Sequence, residues 1–314
     1  MGPIARLLAR LSGTPVPASA AGDGVQGEEL AQALERYPGF RVLRAIDHAR
    51  EVDQLRSCDA GEQIAVVVDT ETTGLDPFED RLIEIAAQRF LFSTDGEIRE
   101  VERVRSWLEE PGWPLPERIT KLTGLNDRDL VGRRFDTAAI TSTLSAADLV
   151  IAHNAAFDRP FLDHRFPDLR YRAWACSLAQ LDWLALGFDG RALGHLVLQS
   201  GRFFEGHRAG NDVVALTSLL AAPAIDGQTI LSHLLARCML DSFRIDAVGA
   251  PFEAKDVLKA RGYRWDPGRR FWWREVETGD IADETGWLDQ QVYRGRGQAK
   301  IQRVTPGERF ASRA

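Results

Sequence analysis

A run of apolar residues that ends in two carboxylates constrains this chain more than any other feature. Val66-Val67-Val68 leads into Asp69-Thr70-Glu71, and Thr72-Thr73-Gly74-Leu75 follows. With Ile64, the valines read as a strand buried on both faces. Residues two apart on a strand share a face, so Asp69 and Glu71 leave the core side by side. Like charges that close raise each other's pKa and destabilise the site unless a cation sits between them. A hard, oxygen-preferring ion such as Mg²⁺ or Mn²⁺ suits that position. Thr72-Thr73-Gly74 then turns the chain, and Gly74 lets the backbone approach a ligand closely. An isolated Asp-x-Glu is more often a pair of exposed acids just past a strand, so the reading depends on two motifs downstream.

The first of these is Leu149-Val150-Ile151-Ala152-His153-Asn154-Ala155-Ala156-Phe157-Asp158. An apolar strand again runs out into polar residues. Asn154 suits the N-cap of a following helix, which places Asp158 in the first turn. By itself Asp158 could simply complement the helix dipole. The second is His207-Arg208-Ala209-Gly210-Asn211-Asp212, followed by an apolar helical stripe through Leu220. Positions five apart lie about 140° from each other around a helix. His207 and Asp212 therefore converge only if His207 lies on the loop before the helix and Asp212 inside it, with Gly210 in that loop.

Taken together, the three motifs resemble the DEDDh family of 3′–5′ exonucleases, which includes the proofreading epsilon subunit of bacterial DNA polymerase III, RNase T and oligoribonuclease. The likeness covers roughly residues 61–222. Val-Asp-Thr-Glu-Thr-Thr-Gly-Leu at 68–75 and His-Asn-Ala-Ala-Phe-Asp at 153–158 match the pattern without departure. Arg81-Leu82-Ile83-Glu84-Ile85-Ala86 and Ile119-Thr120-Lys121-Leu122-Thr123-Gly124-Leu125 are secondary matches. The layout with Trp174-Ala175-Cys176-Ser177 and a C-terminal extension looks most like stand-alone proteobacterial relatives of the epsilon subunit.

The resemblance implies two divalent metal ions, Mg²⁺ or Mn²⁺, held by Asp69, Glu71, Asp158 and Asp212. Asp69 would bridge both ions and Asp158 would act through water. It implies His207 as the general base, so that the catalytic set is Asp69, Glu71, Asp158, His207 and Asp212. The backbone around Thr72 and Gly74 would meet the terminal 3′-OH, Leu75 and Phe157 would pack on the terminal bases, and Asn154 would join the substrate site. The residue types fit the chemistry. Two ions about 3.5–4 Å apart can stabilise attacking and leaving oxygens in phosphodiester hydrolysis, and a histidine suits proton removal near neutral pH. The products would be nucleoside 5′-monophosphates.

The chain has 314 residues, 44% of them hydrophobic, enough for about two domains with a real core. Its formal net charge of −7 does not argue against nucleic acid, because charge distribution matters more than the sum. Cys58, Cys176 and Cys238 form neither a metal knuckle nor a disulfide framework, and a reducing cytoplasm is the simplest compartment. No stretch is apolar enough to span a membrane. Residues 3–11 are amphipathic but interrupted by Arg6 and Arg10, which leaves a short surface helix as the one membrane reading.

We expect four segments. Residues 1–60 hold a linker at 12–27, a helix at 28–36 and an extended stretch at 40–46. Residues 61–240 hold the exonuclease domain, an α/β, ribonuclease H-like fold with a mixed five-stranded sheet flanked by helices. Its strands fall at 64–71, 81–92, 98–107, 149–152 and 171–175. Helices fall at 138–144, 157–165, 178–186, 193–200, 212–220 and about 227–240. Residues 241–276 form a small α+β module rich in Arg, Lys and aromatics, with a hairpin turning at Asp266-Pro267-Gly268. Trp265 and Trp273 are its expected core, with Phe271 or Trp272 outward. Such a surface suits single-stranded nucleic acid, although a tiny module also needs aromatics for a core. Residues 277–314 read as a basic tail.

The leading expectation is a 3′–5′ exonuclease acting on DNA, on single strands or 3′ ends. Alternatives are an exoribonuclease, since no residue reads a 2′-OH, and a non-catalytic proofreading or nucleic-acid-binding adaptor. Replication or repair proteins that might be partners are not specified.

Overall fold

Eleven residues from Glu62 to Thr72 form a single strand because almost every side chain along it finds a core on one face or the other. The computed structural model describes residues 22–46, 51–170 and 172–311. The surface-helix reading of 3–11, much of the 12–27 linker, Tyr171 and the last three residues lie outside them. Residues 1–44 and 45–314 are two separate units.

In the first unit, helix α1 (Gly22–Glu35) begins six residues before the expected start at 28. Arg44 joins two of its turns, reaching Glu28 at 2.8 Å and Glu35 at 2.8 Å. Only β1 (Arg44–Ala45) of the expected 40–46 stretch is a strand.

The second unit carries a mixed sheet. Its strands are β2 (Glu51–Val52), β3 (Glu62–Thr72), β4 (Leu82–Ser93), β5 (Ile98–Glu102), β6 (Arg105–Leu108), β7 (Leu149–Ala152) and β8 (Ala173–Cys176). The order is β2-β5-β4-β3-β7-β8, with β6 following β5 along the same edge of β4. The expected 98–107 strand is therefore two strands with a break at 103–104, and the five-stranded core is extended by β2 and β6. β3 pairs antiparallel with β4 and parallel with β7, so Asp69 lies opposite Ala86 and Glu71 opposite Glu84.

Alternation on β3 separates two cores. Ala65 and Val67 pack with α7 (Leu193–Gln199), α8 (Ala209–Leu220) and α9 (Ile230–Cys238). Val66 and Val68 pack with α4 (Thr137–Ser145) and α5 (Ala155–Arg165). Two short helices, α2 (Glu117–Thr123) and α3 (Asp127–Leu130), were not anticipated. The helix expected over 178–186 is only α6 (Ser177–Gln180), where Leu181 is extended. The Trp183 indole N–H donates to the Ser177 carbonyl at 2.9 Å, and the Cys176 N–H donates to Gln180 Oε1 at 2.7 Å. The indole takes the Ser177 carbonyl that a continued helix would have bonded to the Leu181 N–H.

After β9 (Arg202–Phe203), the C-terminal module is a four-stranded antiparallel sheet in the order β11-β12-β10-β13. Its strands are β10 (Ser242–Ala247), β11 (Arg264–Asp266), β12 (Phe271–Glu277) and β13 (Lys300–Val304), with helices α10 (Lys255–Ala260) and α11 (Ile281–Trp287). The reading of 277–314 as a tail is corrected by Leu288, Val292 and Tyr293, which are buried in the module core, and by β13, which pairs along β10. No sequence run marks this, because the apolar positions are few and their register comes from β10. Trp265 is exposed and Trp272 packs on the core, the reverse of the expectation.

The chain end returns to the catalytic domain. The Trp174 N–H donates to the Pro306 carbonyl at 3.1 Å. Arg159, fully buried, donates to the carbonyls of Gly307, Arg309 and Arg170 and to Asp163 Oδ2 at 3.1 Å. Arg309, also buried, donates to the carbonyls of Cys238 and Leu240 and meets Glu275 at 3.2 Å. Two guanidinium groups thus fix the module to the domain through backbone carbonyls.

Candidate active site

The site forms where β3 outruns its core. Asp69 and Glu71 share the β3 face that packs on α8, and α8 brings Asp212 to them in its first turn. Carboxylate oxygens of Asp69, Glu71 and Asp212 all lie within 4.8 Å of one another. Asp158, in the first turn of α5, comes from the opposite face of the sheet. It is almost fully buried and accepts a 2.8 Å hydrogen bond from Thr70 Oγ1, the residue between the two acids of β3. Three of the four expected metal-holding acids are thus drawn together. The fourth stands behind them, held by Thr70.

The electrostatics follow from that crowding. Burial and then the neighbouring carboxylates of Asp158, Asp212 and Glu71 push the Asp69 carboxyl well above its ordinary range. Burial, with Asp212, Glu84 and Asp158 nearby, pushes Glu71 up to about 8. Burial pushes Asp158 up to about 7, opposed by the Thr70 hydrogen bond. Asp212 is raised by burial, opposed by the Arg208 N–H, which donates to its Oδ2 at 3.1 Å. A cluster of hard oxygens that resists becoming anionic fits a divalent cation, whose charge offsets the repulsion.

His207 lies on the loop before α8 with φ of +67°, as the spacing requires, and its side chain is exposed. A non-glycine residue in the left-handed region is uncommon and marks a conformation imposed by its surroundings. Gly210 is corrected: it sits inside the first turn of α8, not in the loop. A Cβ there would stand 3.0 Å from Ser106 Oγ, so glycine lets α8 lie close to β6. Gly74 likewise makes room for a neighbour. The space of its missing Cβ is occupied by the Asp80 carboxylate of its own loop. Asp80 accepts from Thr73 Oγ1 and from the Asp76 N–H, each at 3.0 Å, and Thr72 Oγ1 donates to the Gly74 carbonyl at 2.5 Å. The loop at 72–81 is therefore locked on itself, with Leu75 exposed at its tip. Asn154 takes the N-cap position of α5 without a side-chain bond to the helix, and Phe157 is half-buried beside Phe161.

The sequence reading passed over Glu84 as a functional residue. It is almost fully buried on β4 directly across from Glu71, and Arg208 donates to its two oxygens at 3.2 and 3.4 Å. The available signal was a lone acid inside Ile83-Glu84-Ile85, in a stretch otherwise apolar from Leu82 to Ala87. Arg208 thus ties the loop carrying His207 to the strand opposite the acids.

Comparison with known proteins gives the site its family. Residues 66–220 match the exonuclease family model of RNase T type. Sequence relatives include the PolC-type DNA polymerase III of Oceanobacillus iheyensis, 34% identical over 158 residues, 47% of this chain and 10% of the relative. Another is the PolC-type DNA polymerase III of Thermotoga petrophila, 32% identical over 136 residues, 43% of this chain and 9% of the relative. The chain spans about a tenth of the length of these relatives. Among solved structures it is similar to Exonuclease X in complex with 5′ overhanging duplex DNA, at 20% identity and a TM-score of 0.39, over 54% of this chain and 99% of that one. It is also similar to the nuclease domain of 3′hExo, a DEDDh family member bound to rAMP, at 14% identity and a TM-score of 0.39, over 51% and 91%. Residues 66–220, with the acids of β3, α5 and α8 inside them, are thus a match to the exonuclease family.

Proposed function

We propose that the chain is a metal-dependent 3′–5′ exonuclease acting on DNA, releasing nucleoside 5′-monophosphates. The observation that carries this is the convergence of Asp69, Glu71 and Asp212 within 4.8 Å, inside an exonuclease-family domain. These three would hold divalent metal, Mg²⁺ or Mn²⁺, with Asp158 completing the set for a second ion. Bound there, the ions would supply the charge that stabilises attacking and leaving oxygens of phosphodiester hydrolysis.

The chain's own residues do the rest. His207, exposed on its loop and facing Asp212, takes a proton from the attacking water. Arg208 holds that loop against Glu84. Thr70 orients Asp158. The self-bonded 72–81 loop presents Thr72, Gly74 and Leu75 to the 3′-terminal nucleotide, with Asn154 and Phe157 across from it. The PolC-type relatives favour DNA as substrate, and the RNA reading remains the second outcome of the test. Among the described residues no helix is long and apolar enough to cross a membrane, and the three cysteines are free, which suits the reducing cytoplasm as the site of action.

The test is a time course on matched 5′-labelled single-stranded DNA and RNA with Mg²⁺ or Mn²⁺, beside Asp69→Ala. A ladder shortening from the 3′ end, lost in the variant and with chelator, is the expected result. The ratio of the two rates identifies the substrate. A folded, metal-loaded protein that shortens neither would move the reading to a non-catalytic nucleic-acid-binding adaptor.

A further inference from the structure

The module sheet has two unlike faces. One packs Ile245, Val276 and Ala247 on the core with Leu258 and Leu288. On the other, the strand registers set Arg264 against Trp273, Asp266 against Phe271, and Arg244 against Glu275. On this second face an alternating ladder of rings and guanidinium groups is built. The Arg244 guanidinium lies 5.6 Å from the Phe271 ring centre and 4.4 Å from that of Trp273, and Arg264 lies 5.7 Å from Trp273 on its exposed side.

This face borders a cleft of about 1080 Å³ whose far wall is the catalytic domain, including Asn154 and Ala156 at the start of α5 and Gln180 of α6. Arg309 and Phe310, from the segment anchored by the buried arginines, also line it. The cleft is therefore fixed by the same contacts that hold the module in place, and it reaches the catalytic domain at Asn154, where α5 begins.

Charge in the cleft is not evenly spent. Four carboxylates line it, and each meets an arginine: Asp266 with Arg244, Glu275 with Arg309, Glu277 with Arg237, and Asp241 with Arg303. Arg264 is exposed and has no carboxylate partner among the described residues. A ring–guanidinium ladder with an unpaired cation at its open end offers stacking planes and one phosphate contact. Single-stranded nucleic acid requires that combination.

We propose that this cleft binds single-stranded nucleic acid away from the reacting 3′ end, with a phosphate on Arg264, one base stacked on Trp273 in the cleft and the next on Phe271, which lies outside the lining on the same sheet face. For the identity of the ligand this rests on the exonuclease reading above. The module thus lengthens the substrate path beyond the acids and raises affinity for long strands without touching the scissile bond.

The experiment is fluorescence anisotropy with a labelled oligothymidylate about 20 nucleotides long, in EDTA so that metal at the acids contributes nothing, across a NaCl series. Wild-type protein is compared with Arg264→Glu, at an exposed position, and Phe271→Ala. Arg264→Glu should weaken binding roughly tenfold and make the log–log salt slope shallower by about one. Phe271→Ala should weaken it about fivefold or more, the low end of a lost base stack. Hydrolysis of the p-nitrophenyl ester of thymidine 5′-monophosphate, too small to reach the cleft, should stay at the wild-type rate in both. Wild-type affinity and slope in both variants would overturn the proposal, as would no binding by the wild type. Strand binding that responds to both variants in a protein that hydrolyses neither ester nor strand would remove the exonuclease reading and leave the cleft standing.

Discussion

Two charge groups meet at α5, and they are built oppositely. At its start, Asp158 joins Asp69, Glu71 and Asp212; burial raises all four, and neighbouring carboxylates add to it at Asp69, Glu71 and Asp212. At the very next residue, Arg159 meets Asp163 at 3.1 Å, and its remaining donors are spent on the carbonyls of Arg170 and, in the returning chain end, of Gly307 and Arg309. The first group gathers acids, whereas the second pairs an acid with an arginine. Buried charge that the fold satisfies holds structure together, whereas buried charge that it leaves unsatisfied marks a place for something from solution.

That contrast can be broken most severely at Asp69. Asp69→Ala should lower turnover roughly 10³-fold or more, from the several kcal/mol that a metal-holding carboxylate supports. The metal-free variant should melt at the wild-type temperature or above, because a repelling charge has gone. A clear fall in Tm would place Asp69 among the structural groups.

Arg159→Ala should do the reverse. Removing one partner of a buried pair costs about 3–5 kcal/mol, so urea unfolding should shift to a markedly lower midpoint while the rate per folded molecule changes little. A midpoint within error of the wild type would show that the joint is not holding the module.

Arg208 stands between the two classes, since it neutralises Glu84 yet carries the histidine loop. Arg208→Ala should lower metal affinity or kcat by about 10- to 100-fold, the range for groups that orient a metal site from behind. Steady-state kinetics across a Mn²⁺ series would read this, and wild-type values would detach Glu84 from the site.

The smallest effect is on pH. Glu71 holds its proton up to about 8 and Asp158 up to about 7 in the folded chain, against ordinary values of 4.5 and 3.8. Between about pH 5 and 8 the unfolded chain therefore binds fewer protons than the folded one, and stability falls as pH rises. Tm of the metal-free protein should drop by several degrees over that window, and a divalent ion at pH 8 should restore it. A flat profile in EDTA would mean that the carboxylates are not crowded in solution.

Much of this was legible because the site motifs are local. Val66 to Glu71 declares a strand and its face, and Asn154 to Asp158 and His207 to Asp212 each declare a helix start, so three short segments predicted where the acids would emerge. What stayed hidden depends on pairing across the sheet or across the chain. Glu84 gains its meaning only from lying opposite Glu71, a register no local pattern fixes. Arg159 follows Asp158 directly and reads as an exposed helical arginine until residues 307–309 return to cover it. Trp265 and Trp272 exchanged their expected roles because β11 is three residues long, too short for alternation to declare its inner face. Gly210 and Gly74 were read as freedom for loop and ligand, yet each makes room for a neighbouring side chain.

The central claim is that the carboxylates of β3 and α8, with Asp158 behind them, form a crowded site whose raised proton affinity a divalent cation overcomes. Calorimetric titration of the metal-free protein with Mn²⁺ at pH 7, repeated in two buffers of different ionisation enthalpy, tests it most directly. The account predicts binding at the site that releases protons, seen as a buffer-dependent heat, and loses both the binding and the release in Asp69→Ala. Binding with no proton release, or with the same heats in the variant, would contradict it.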